Sequence, residues 1–278
     1  MTGFPDSSTR PAAPLTERTP RVVSAVKLHR GAERRRSGTF LAEGENAVVE
    51  AVAAGVAQRL FATQRWFERD GGPIASARAA GVPVDLITDR AAAALSDTVT
   101  PPGLIAVARS VVVGVADAVA AGHRLVAVPV EIAEPGNAGT LLRVADAAGA
   151  DAAVFAGDSV DPENGKAVRA SAGSLFHLPV ARERSVDAVL DTVRGAGLTI
   201  VATTVDGEVD LDDADDLLTG PTAWLFGNEA HGLSAEVASA ADHRVSIPIH
   251  GRAESLNLAT AATLCLYASA RVHRRGRP

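Results

Sequence analysis

Three short segments of the chain carry polar side chains whose types and spacing could support chemistry. They are EPGNAGTLLR (134–143), LFGNEAHGLS (225–234) and IPIHGRAESLN (247–257). They offer asparagine, arginine, glutamate, serine and backbone amide groups, but no good nucleophile. Such groups orient reactants and bind phosphate. The sequence therefore favours a reaction in which the protein aligns other molecules and forms no covalent bond itself.

Several common catalytic signatures do not fit these segments. Gly136, Gly139 and Gly149 do not give the G-x-G-x-x-G spacing of a dinucleotide site, and Gly165-Lys166 lacks the remaining residues of a P-loop. The sequence contains no H-E-x-x-H motif or clustered histidine ligands, so we expect no metal. It also contains no G-x-S-x-G motif for acyl transfer.

The third segment leads into a helix with little polar surface. The pattern predicts an apolar strand at Val245, Ile247 and Ile249, a loop, and a helix that opens at Ser255, a preferred N-cap type. A helix that is apolar on several faces must be covered on several sides. We therefore expect burial against the sheet and against a second subunit. Cys265 lies within this helix and is expected to be a core thiol.

Strand-like and helix-like stretches alternate along the whole chain. This alternation predicts an α/β protein, with a mainly parallel sheet in the C-terminal part and a ligand at the carboxyl ends of its strands. A break in the pattern near residue 110 indicates a smaller N-terminal α/β domain. The expected organisation is a disordered leader (1–20), an N-terminal domain (21–110), a linker (111–123), a C-terminal domain (124–271) and a basic tail (272–278).

A net charge of −6 conceals two basic ends. Residues 1–36 hold eight Lys or Arg against three acids, and the last eight residues hold four arginines and no acid. Each end could meet phosphate, although solubilising termini would give the same pattern. No stretch is long and apolar enough to cross a bilayer, and no apolar run of signal-peptide type opens the chain. We expect a cytoplasmic protein.

The three segments resemble the signature motifs of the SpoU/TrmH branch of the SPOUT RNA methyltransferases. N-x-G-x-x-x-R is matched by residues 137–143, G-N-E-x-x-G-L by 227–233, and I-P-I…S-L-N by 247–257. The resemblance covers residues 125–270 in the family's order and spacing. Upstream, FLAEGENAVVEAV and LSDTVTPPGLIAVAR are similar to the family's small RNA-binding domain of ribosomal-protein-like α/β type.

The resemblance implies a deep trefoil knot in the C-terminal domain, a homodimer and S-adenosylmethionine as cofactor. The cofactor contacts that it implies are Thr203, Gly227, Ile247 and Leu256. It also implies an RNA partner, for which the basic segment offers Arg30, Arg34, Arg35 and Arg36.

The implied reaction is methyl transfer to a ribose 2′-hydroxyl. Arg143 would ease loss of the hydroxyl proton, either as a base or as a charged group that stabilises the alkoxide. Both interpretations stay open. Asn137 and Glu229 would orient Arg143 and the ribose, while Ser255 and Asn257 would hold the adjacent phosphate and the hydroxyl.

Ribosomal RNA is the expected substrate because an RNA-binding domain precedes the catalytic one. Transfer RNA is the alternative substrate. A non-catalytic RNA-binding or ribosome-assembly factor on the same fold is a second class of function, against which the intact Arg143, Glu229 and Asn257 count. A dinucleotide enzyme on an open α/β sheet is a third, disfavoured by the missing glycine fingerprint.

Overall fold

The computed structural model describes residues 13–69 and 72–275. The chain divides between Arg109 and Ser110 into two compact units. Each unit has its own sheet, so each buries its apolar residues independently.

The first unit is built around a four-stranded sheet. Its order is β1-β4-β2-β3, with β4 antiparallel to both neighbours and β2 parallel to β3. The elements in chain order are α1 (Pro20–Val26), a 3₁₀ turn (Lys27–His29), α2 (Gly31–Ser37), β1 (Thr39–Glu43), α3 (Glu45–Ala53), β2 (Ala57–Thr63), α4 (Gln64–Phe67), α5 (Gly72–Ala79), β3 (Val84–Ile87), α6 (Asp89–Leu95) and β4 (Leu104–Arg109).

Local sequence signals account for several of these boundaries. Gly38 ends α2 with φ of 63°, the left-handed conformation that glycine adopts without steric cost. Thr88 caps α6, because its Oγ1 accepts a hydrogen bond of 3.1 Å from the amide of Ala91. The sequence pattern does not predict α4, because this helix spans one turn and is too short to show an amphipathic repeat.

The predicted disordered leader is wrong over its last residues. The amide of Leu15 donates to the carbonyl of Leu86 (2.8 Å), and the amide of Thr88 donates to Leu15 (3.0 Å). The chain is therefore tied to the edge of β3 before α1 begins at Pro20. Residues 1–12 of the predicted leader lie outside the described residues.

The second unit is an eight-stranded sheet in which every pair of neighbours is parallel, as the alternating pattern predicted. Its order is β10-β12-β9-β11-β6-β7-β8-β5. The elements are β5 (Val112–Val113), α7 (Val115–Ala118), β6 (Leu125–Pro129), α8 (Pro135–Ala148), β7 (Ala152–Ala156), α9 (Gly165–Ser171), β8 (Val180–Glu183), α10 (Val186–Gly195), β9 (Thr199–Thr203), β10 (Val209–Asp210), β11 (Thr222–Phe226), α11 (Ala235–Ala240), β12 (His243–Ser246) and α12 (Leu258–Arg275), with 3₁₀ turns at Ser174–Phe176, Leu211–Asp213 and Leu217–Thr219.

Helices cover both faces of the parallel sheet. On β11 the side chains alternate, so Trp224 and Leu225 point to opposite faces. The Trp224 indole donates to Ser269 of α12 (2.9 Å), whereas Leu225 belongs to a core cluster that contains Val189 and Leu190 of α10. Burial on both faces explains why β6, β7 and β11 are continuous apolar runs.

Three predicted boundaries in this unit are wrong. The pattern predicts a linker and a short helix over residues 111–123; the helix is α7, but the rest is not only a linker, because it includes β5, which pairs with β8. The pattern predicts a loop over 133–139 and a helix from Thr140, but helix α8 starts at Pro135, so the first motif lies in a helix and not in a loop. The predicted tail is partly helical, since α12 continues to Arg275.

The C-terminal arginines have acidic partners within the unit. Arg271 and Arg275 of α12 both pair with Asp215, in the acidic run between β10 and β11. The acidic run and the basic C-terminal end are therefore paired in the fold. Arg271 and Arg275 already have an acidic partner, so they are not free to bind phosphate.

Helices α8 and α9 approach each other closely at Gly139. A Cβ at this position would stand 2.1 Å from the carbonyl oxygen of Ala167 and 2.6 Å from the Cβ of Ala170. Glycine at this motif position is thus required by helix packing. The close approach holds the first turns of α8 against α9.

Gly139→Ala should lower stability by about 1–3 kcal/mol, because neither helix backbone can move away without repacking. Gly136→Ala is the matched control on the same helix, where the nearest atoms to an added Cβ lie at 3.4 and 3.5 Å. Urea unfolding of both variants measures the difference. Equal midpoints for the two variants would contradict the packing role.

Candidate active site

The three motif segments meet at the carboxyl edge of the parallel sheet. Strands β6 and β11 are neighbours in register, and the amide of Val130 donates to the carbonyl of Phe226 across their ends (2.8 Å). The second motif begins at Gly227, directly after β11, and the first segment begins at Glu134, in the connection that follows β6. The third follows β12, two strands away, beyond β9. As predicted, the polar residues collect where parallel strands end.

Glu229 joins the second motif to the first. Its carboxylate accepts hydrogen bonds from the backbone amides of Ala133 (3.0 Å) and Glu134 (3.1 Å) and from the side-chain amide of Asn137 (3.0 Å). These donors precede and open α8. One side chain therefore fixes the entry of α8 to the loop after β11.

The hydrogen bonds that start at Glu229 continue through Asn137 to the third motif. A carboxylate can only accept, so the Asn137 nitrogen must face Glu229 and the Asn137 oxygen must face away. That oxygen accepts from the Asn257 side-chain nitrogen (3.1 Å). The Asn257 oxygen in turn accepts from the backbone amide of Ala259 (2.9 Å). Each amide orientation is fixed by its neighbour, and the relay Glu229–Asn137–Asn257 spans all three motifs.

This relay corrects the predicted start of the last helix. Asn257 caps α12, which begins at Leu258, and Ser255 lies two residues before this cap and is exposed. Asparagine is as good an N-cap as serine, so the residue type alone could not locate the cap.

The loop after β11 is a tight hairpin. Asn228 and Gly232 exchange backbone hydrogen bonds of 3.0 and 2.9 Å, and the Asn228 side chain donates to the carbonyl of Glu131 (2.7 Å). A Cβ on Gly227 would stand 2.2 Å from the carbonyl carbon of Gly232. Glycine is therefore required at 227 by the hairpin itself. Asn228 lay inside the recognised motif, yet the sequence assigned it no role.

The environment of Glu229 keeps it ionised. Desolvation by itself would raise the pKa of this carboxyl, but the hydrogen bonds from Asn137 and the backbone outweigh it, and the pKa lies below its usual range. A carboxylate with a lowered pKa is a weak base. Glu229 is thus suited to hold the loops together and is a poor acceptor for a substrate proton.

Arg143 stands apart from the relay. It lies six residues after Asn137 on α8, about 9 Å further along the helix axis, and its side chain is exposed. Within the described part of the chain it has no hydrogen-bond or ion-pair partner. Asn137 bonds to Glu229 and Asn257 and makes no direct contact with the Arg143 side chain, so the expectation that Asn137 and Glu229 orient Arg143 stays a prediction.

The four residues assigned to the cofactor lie around the same edge. Thr203 ends β9 and donates to the carbonyl of Leu225 (2.9 Å), Gly227 is buried, and Ile247 and Leu256 are half-buried. The neighbouring Thr204 hydroxyl is buried without a hydrogen-bond partner among the described residues. A buried hydroxyl and partly exposed apolar side chains at the same edge of the sheet suit a ligand with polar and apolar parts. The residues present thus fit an adenosyl cofactor.

Two further residues flank the relay that the sequence did not single out. Glu134 caps α8 by accepting from the amide of Gly136 (3.2 Å), and it also pairs with Lys166 of α9. This hydrogen bond with Lys166 is the main reason that the pKa of Glu134 lies below its usual range. The signal for the cap was the Glu-Pro pair, since proline favours the first position of a helix.

The four arginines assigned to RNA do not share one environment. Arg34 is buried, and its guanidinium donates to the carbonyls of Leu28 (2.9 Å) and His29 (3.1 Å). Arg36 pairs with Glu33, whereas Arg30 and Arg35 are exposed. Arg34 is therefore a structural residue that holds the 3₁₀ turn, which corrects its assignment as a phosphate contact.

Other features of the described residues carry no catalytic signal. The Cys265 thiol is buried, and burial raises its pKa far above the ordinary value. Residues 13–69 and 72–275 bring together no group of three or more metal-ligating His, Cys, Asp or Glu side chains. None of the helices in these ranges is long and apolar enough to span a membrane.

A parallel α/β sheet with polar loops joined at its carboxyl edge, preceded by a smaller α/β unit, defines a ligand-binding α/β protein with an accessory domain. Comparison with known families makes the class specific. Residues 124–267 match the SpoU rRNA methylase family, and residues 19–106 match the MRM3-like substrate binding domain. The chain belongs to the SpoU rRNA methylase family.

Individual relatives agree along nearly the whole chain. It is 32% identical over 251 residues to the 23S rRNA (guanosine(2553)-2′-O)-methyltransferase RlmP of Bacillus subtilis, covering 90% of this chain and 94% of that protein. The SpoU methyltransferase AviRb of Streptomyces viridochromogenes, solved with AdoMet, superposes with a TM-score of 0.82 at 32% identity, covering 93% and 100% of the two chains. The AdoMet-bound rRNA methyltransferase of Sinorhizobium meliloti gives 0.79 at 29% identity, covering 91% and 95%.

Glu229→Gln should loosen the junction of the three motifs, because an amide nitrogen would then face one of the N–H donors. We expect a loss of about 1 kcal/mol, at the low end for bonds to a charged group because Glu229 is exposed. Glu236→Gln on the exposed face of α11 is the control. Urea unfolding at pH 7 measures both.

The same pair of proteins tests the lowered pKa of Glu229. A carboxyl whose pKa is lower in the folded state adds stability above its unfolded pKa and loses that contribution as pH falls through the folded value. The gap between wild type and Glu229→Gln should therefore persist at neutral pH and shrink in acid below the usual carboxyl range. A gap that stays constant down to the acid limit of folding would contradict the assignment.

Proposed function

We propose that this protein transfers a methyl group from S-adenosylmethionine to a ribose 2′-hydroxyl in ribosomal RNA. The observation that carries the proposal is the relay Glu229–Asn137–Asn257, which joins the three motif segments at the carboxyl edge of the sheet. Relatives named as 23S rRNA 2′-O-methyltransferases support the substrate class. Because ribosomal RNA is the proposed substrate, we propose that the protein acts in the cytoplasm.

The cofactor supplies a methyl group already activated on a sulfonium, so the protein must align the reactants and ease loss of one proton. Thr203, Gly227, Ile247 and Leu256 are the proposed cofactor contacts, and the Thr204 hydroxyl next to Thr203 in the chain is buried without a partner among the described residues. The knot that the family resemblance implies would place these segments around one pocket. Two observations support the proposed knot: β12 pairs with β9, and α12, which follows β12, packs on β6 and β11.

Arg143 is the proposed group for the hydroxyl proton. Because its guanidinium is exposed and has no partner within the described residues, it can reach a ribose and a neighbouring phosphate together. Glu229 holds the first turn of α8, which carries Arg143 two turns later, and so acts as a positioning residue. Ser255, exposed before α12, is the proposed contact for the adjacent phosphate.

Arg143→Ala should bind S-adenosylmethionine normally and RNA nearly normally, yet transfer methyl about a hundredfold more slowly or worse. Arg143→Lys should rescue little, because an ammonium lacks the planar fork that can hold a hydroxyl and a phosphate together. Single-turnover transfer of labelled methyl to unmethylated ribosomal RNA measures both. Arg184→Ala, another exposed arginine of this unit, is the control. A rate within a few-fold of wild type for Arg143→Ala would make Arg143 a structural helix residue.

We also propose a two-fold homodimer that uses α12. Leu264 and Tyr267 are 42% and 46% exposed on this helix, although Cys265 and Leu266 beside them are buried. Their spacing of three residues puts both on one face, which the unit itself leaves uncovered. Large apolar side chains are typical of the centre of such interfaces.

Light scattering at micromolar concentration should give the mass of a dimer. Replacing Leu264 and Tyr267 together by Asp should give a folded monomer, because two buried charges would face each other across the interface. Val99→Asp, which alters a fully exposed side chain of the first unit, should stay dimeric. A monomeric wild type would contradict the proposal.

A further inference from the structure

The first unit contains an open cleft that the methyl-transfer site does not use. It has a volume of about 470 Å³ and lies between α1, the 3₁₀ turn and α2 on one side and the sheet on the other. This volume is in the range of pockets that hold small molecules. Its lining includes three guanidinium groups, from Arg21, Arg36 and Arg59.

The lining mixes apolar and polar side chains. Leu28, Phe61 and Val107 contribute apolar atoms, while Ser24, Glu33, Ser37, Thr39 and Gln58 contribute polar atoms together with the arginines. Such a lining meets two needs of a ligand, apolar contact and hydrogen-bond donors. Single-stranded nucleotides combine these two needs, since each has a base with a flat face and a phosphate.

The acids near the cleft hold the arginines in place. Asp85 accepts from Arg59 (2.7 Å) and from Arg21 (3.3 Å), which lie on different elements. Glu33 accepts from Arg36, and this bond is the main reason that the pKa of Glu33 lies below its usual range. Each guanidinium has five N–H donors, so these pairings fix its direction and leave donors for a ligand.

The charge around the cleft is positive. Lys27 and Arg30 also act on Glu33, so five cations surround two carboxylates. Both carboxylates are already bonded to lining arginines. A phosphate is therefore the complementary group, and a cation would find no unengaged acid there. The volume is far too small for a duplex, whose two backbones are held apart by paired bases.

We propose that this cleft binds one or two nucleotides of a single-stranded stretch of the RNA substrate, other than the methylated nucleotide. The arginines would hold the phosphate and the apolar atoms of the lining would contact the base. The proposal rests on the proposed function for the identity of the RNA. The proposal assigns RNA binding in the first unit to a particular cleft, whereas the sequence indicated only a basic segment.

The test measures binding of a fluorescent 12-nucleotide oligouridylate, with an RNA duplex of the same length as comparator, to the full-length protein. Arg21→Gln should weaken oligouridylate binding about tenfold and make its salt dependence shallower by the share of one phosphate. Asp85 keeps Arg59 as its partner in this variant, so the fold should persist. Arg90→Gln is the matched control, an exposed arginine of the same unit that pairs with one acid, Glu17.

A second variant adds charge without removing a cleft arginine. Ser24→Glu puts a carboxylate in the lining and should weaken binding at least as much, whereas Ser76→Glu, an exposed serine on α5, should bind like wild type. Unchanged affinity and salt slope in both cleft variants would overturn the proposal. So would duplex binding that equals oligouridylate binding, or a polyglutamate peptide that competes for the cleft.

Methylation assays separate this inference from the proposed function. If wild type methylates ribosomal RNA but the cleft variants bind oligouridylate normally, the cleft proposal fails and the function stands. If the cleft variants lose oligouridylate but wild type transfers no methyl to ribosomal RNA, the cleft proposal stands and the function fails. When both hold, the cleft variants should raise the KM for RNA and leave the single-turnover rate at saturating RNA unchanged.

Discussion

The site depends on one carboxylate. Glu229 accepts hydrogen bonds from two backbone amides and one side-chain amide, all of which belong to the segment that leads into α8. Because these donors make the ionised form the stable one, the carboxylate stays charged, whereas a neutral amide in its place would turn a donor towards at least one of the three N–H groups. The orientation of Asn137, the contact with Asn257 and the first turn of α12 all follow from that charge.

Close backbone contacts complete what the carboxylate begins. Gly227 lets the hairpin after β11 fold back on itself, and Gly139 lets α8 approach α9. Both glycines belong to the recognised motifs, and both are required by packing whether or not a ligand is bound. The motif residues therefore have two roles. Some make the junction between the three segments rigid, and the others supply the polar groups that this junction presents. Arg143 is the group left to face outward.

Much of the fold could be predicted because burial leaves a strong mark on sequence. The sequence predicts a short strand over Thr39–Glu43, which is the span of β1, and the parallel sheet follows from continuous apolar runs such as β6 and β11. The start of α8 could not, because Gly136 and Gly139 lower helix propensity and the contact that compensates for Gly139 comes from α9, far away in sequence.

The site was predicted less completely than the fold. The motifs identified Asn137, Glu229 and Asn257, but composition cannot reveal which of them bond to one another. The fate of Arg34 shows why: a basic run predicts exposed cations, yet this one is folded inward because the 3₁₀ turn ends in carbonyl groups that need a donor. Boundaries near 111–123 failed for a similar reason, since two residues of β5 complete a sheet edge that no local pattern displays.

The most direct test of the account is a map of ribose methylation, at nucleotide resolution, in ribosomal and transfer RNA from cells that lack this gene. The account predicts that one ribosomal RNA position loses its 2′-O-methyl group, and that the full-length wild-type protein restores it while Arg143→Ala does not. An unchanged ribosomal RNA map, or a loss confined to transfer RNA, would contradict the proposed substrate.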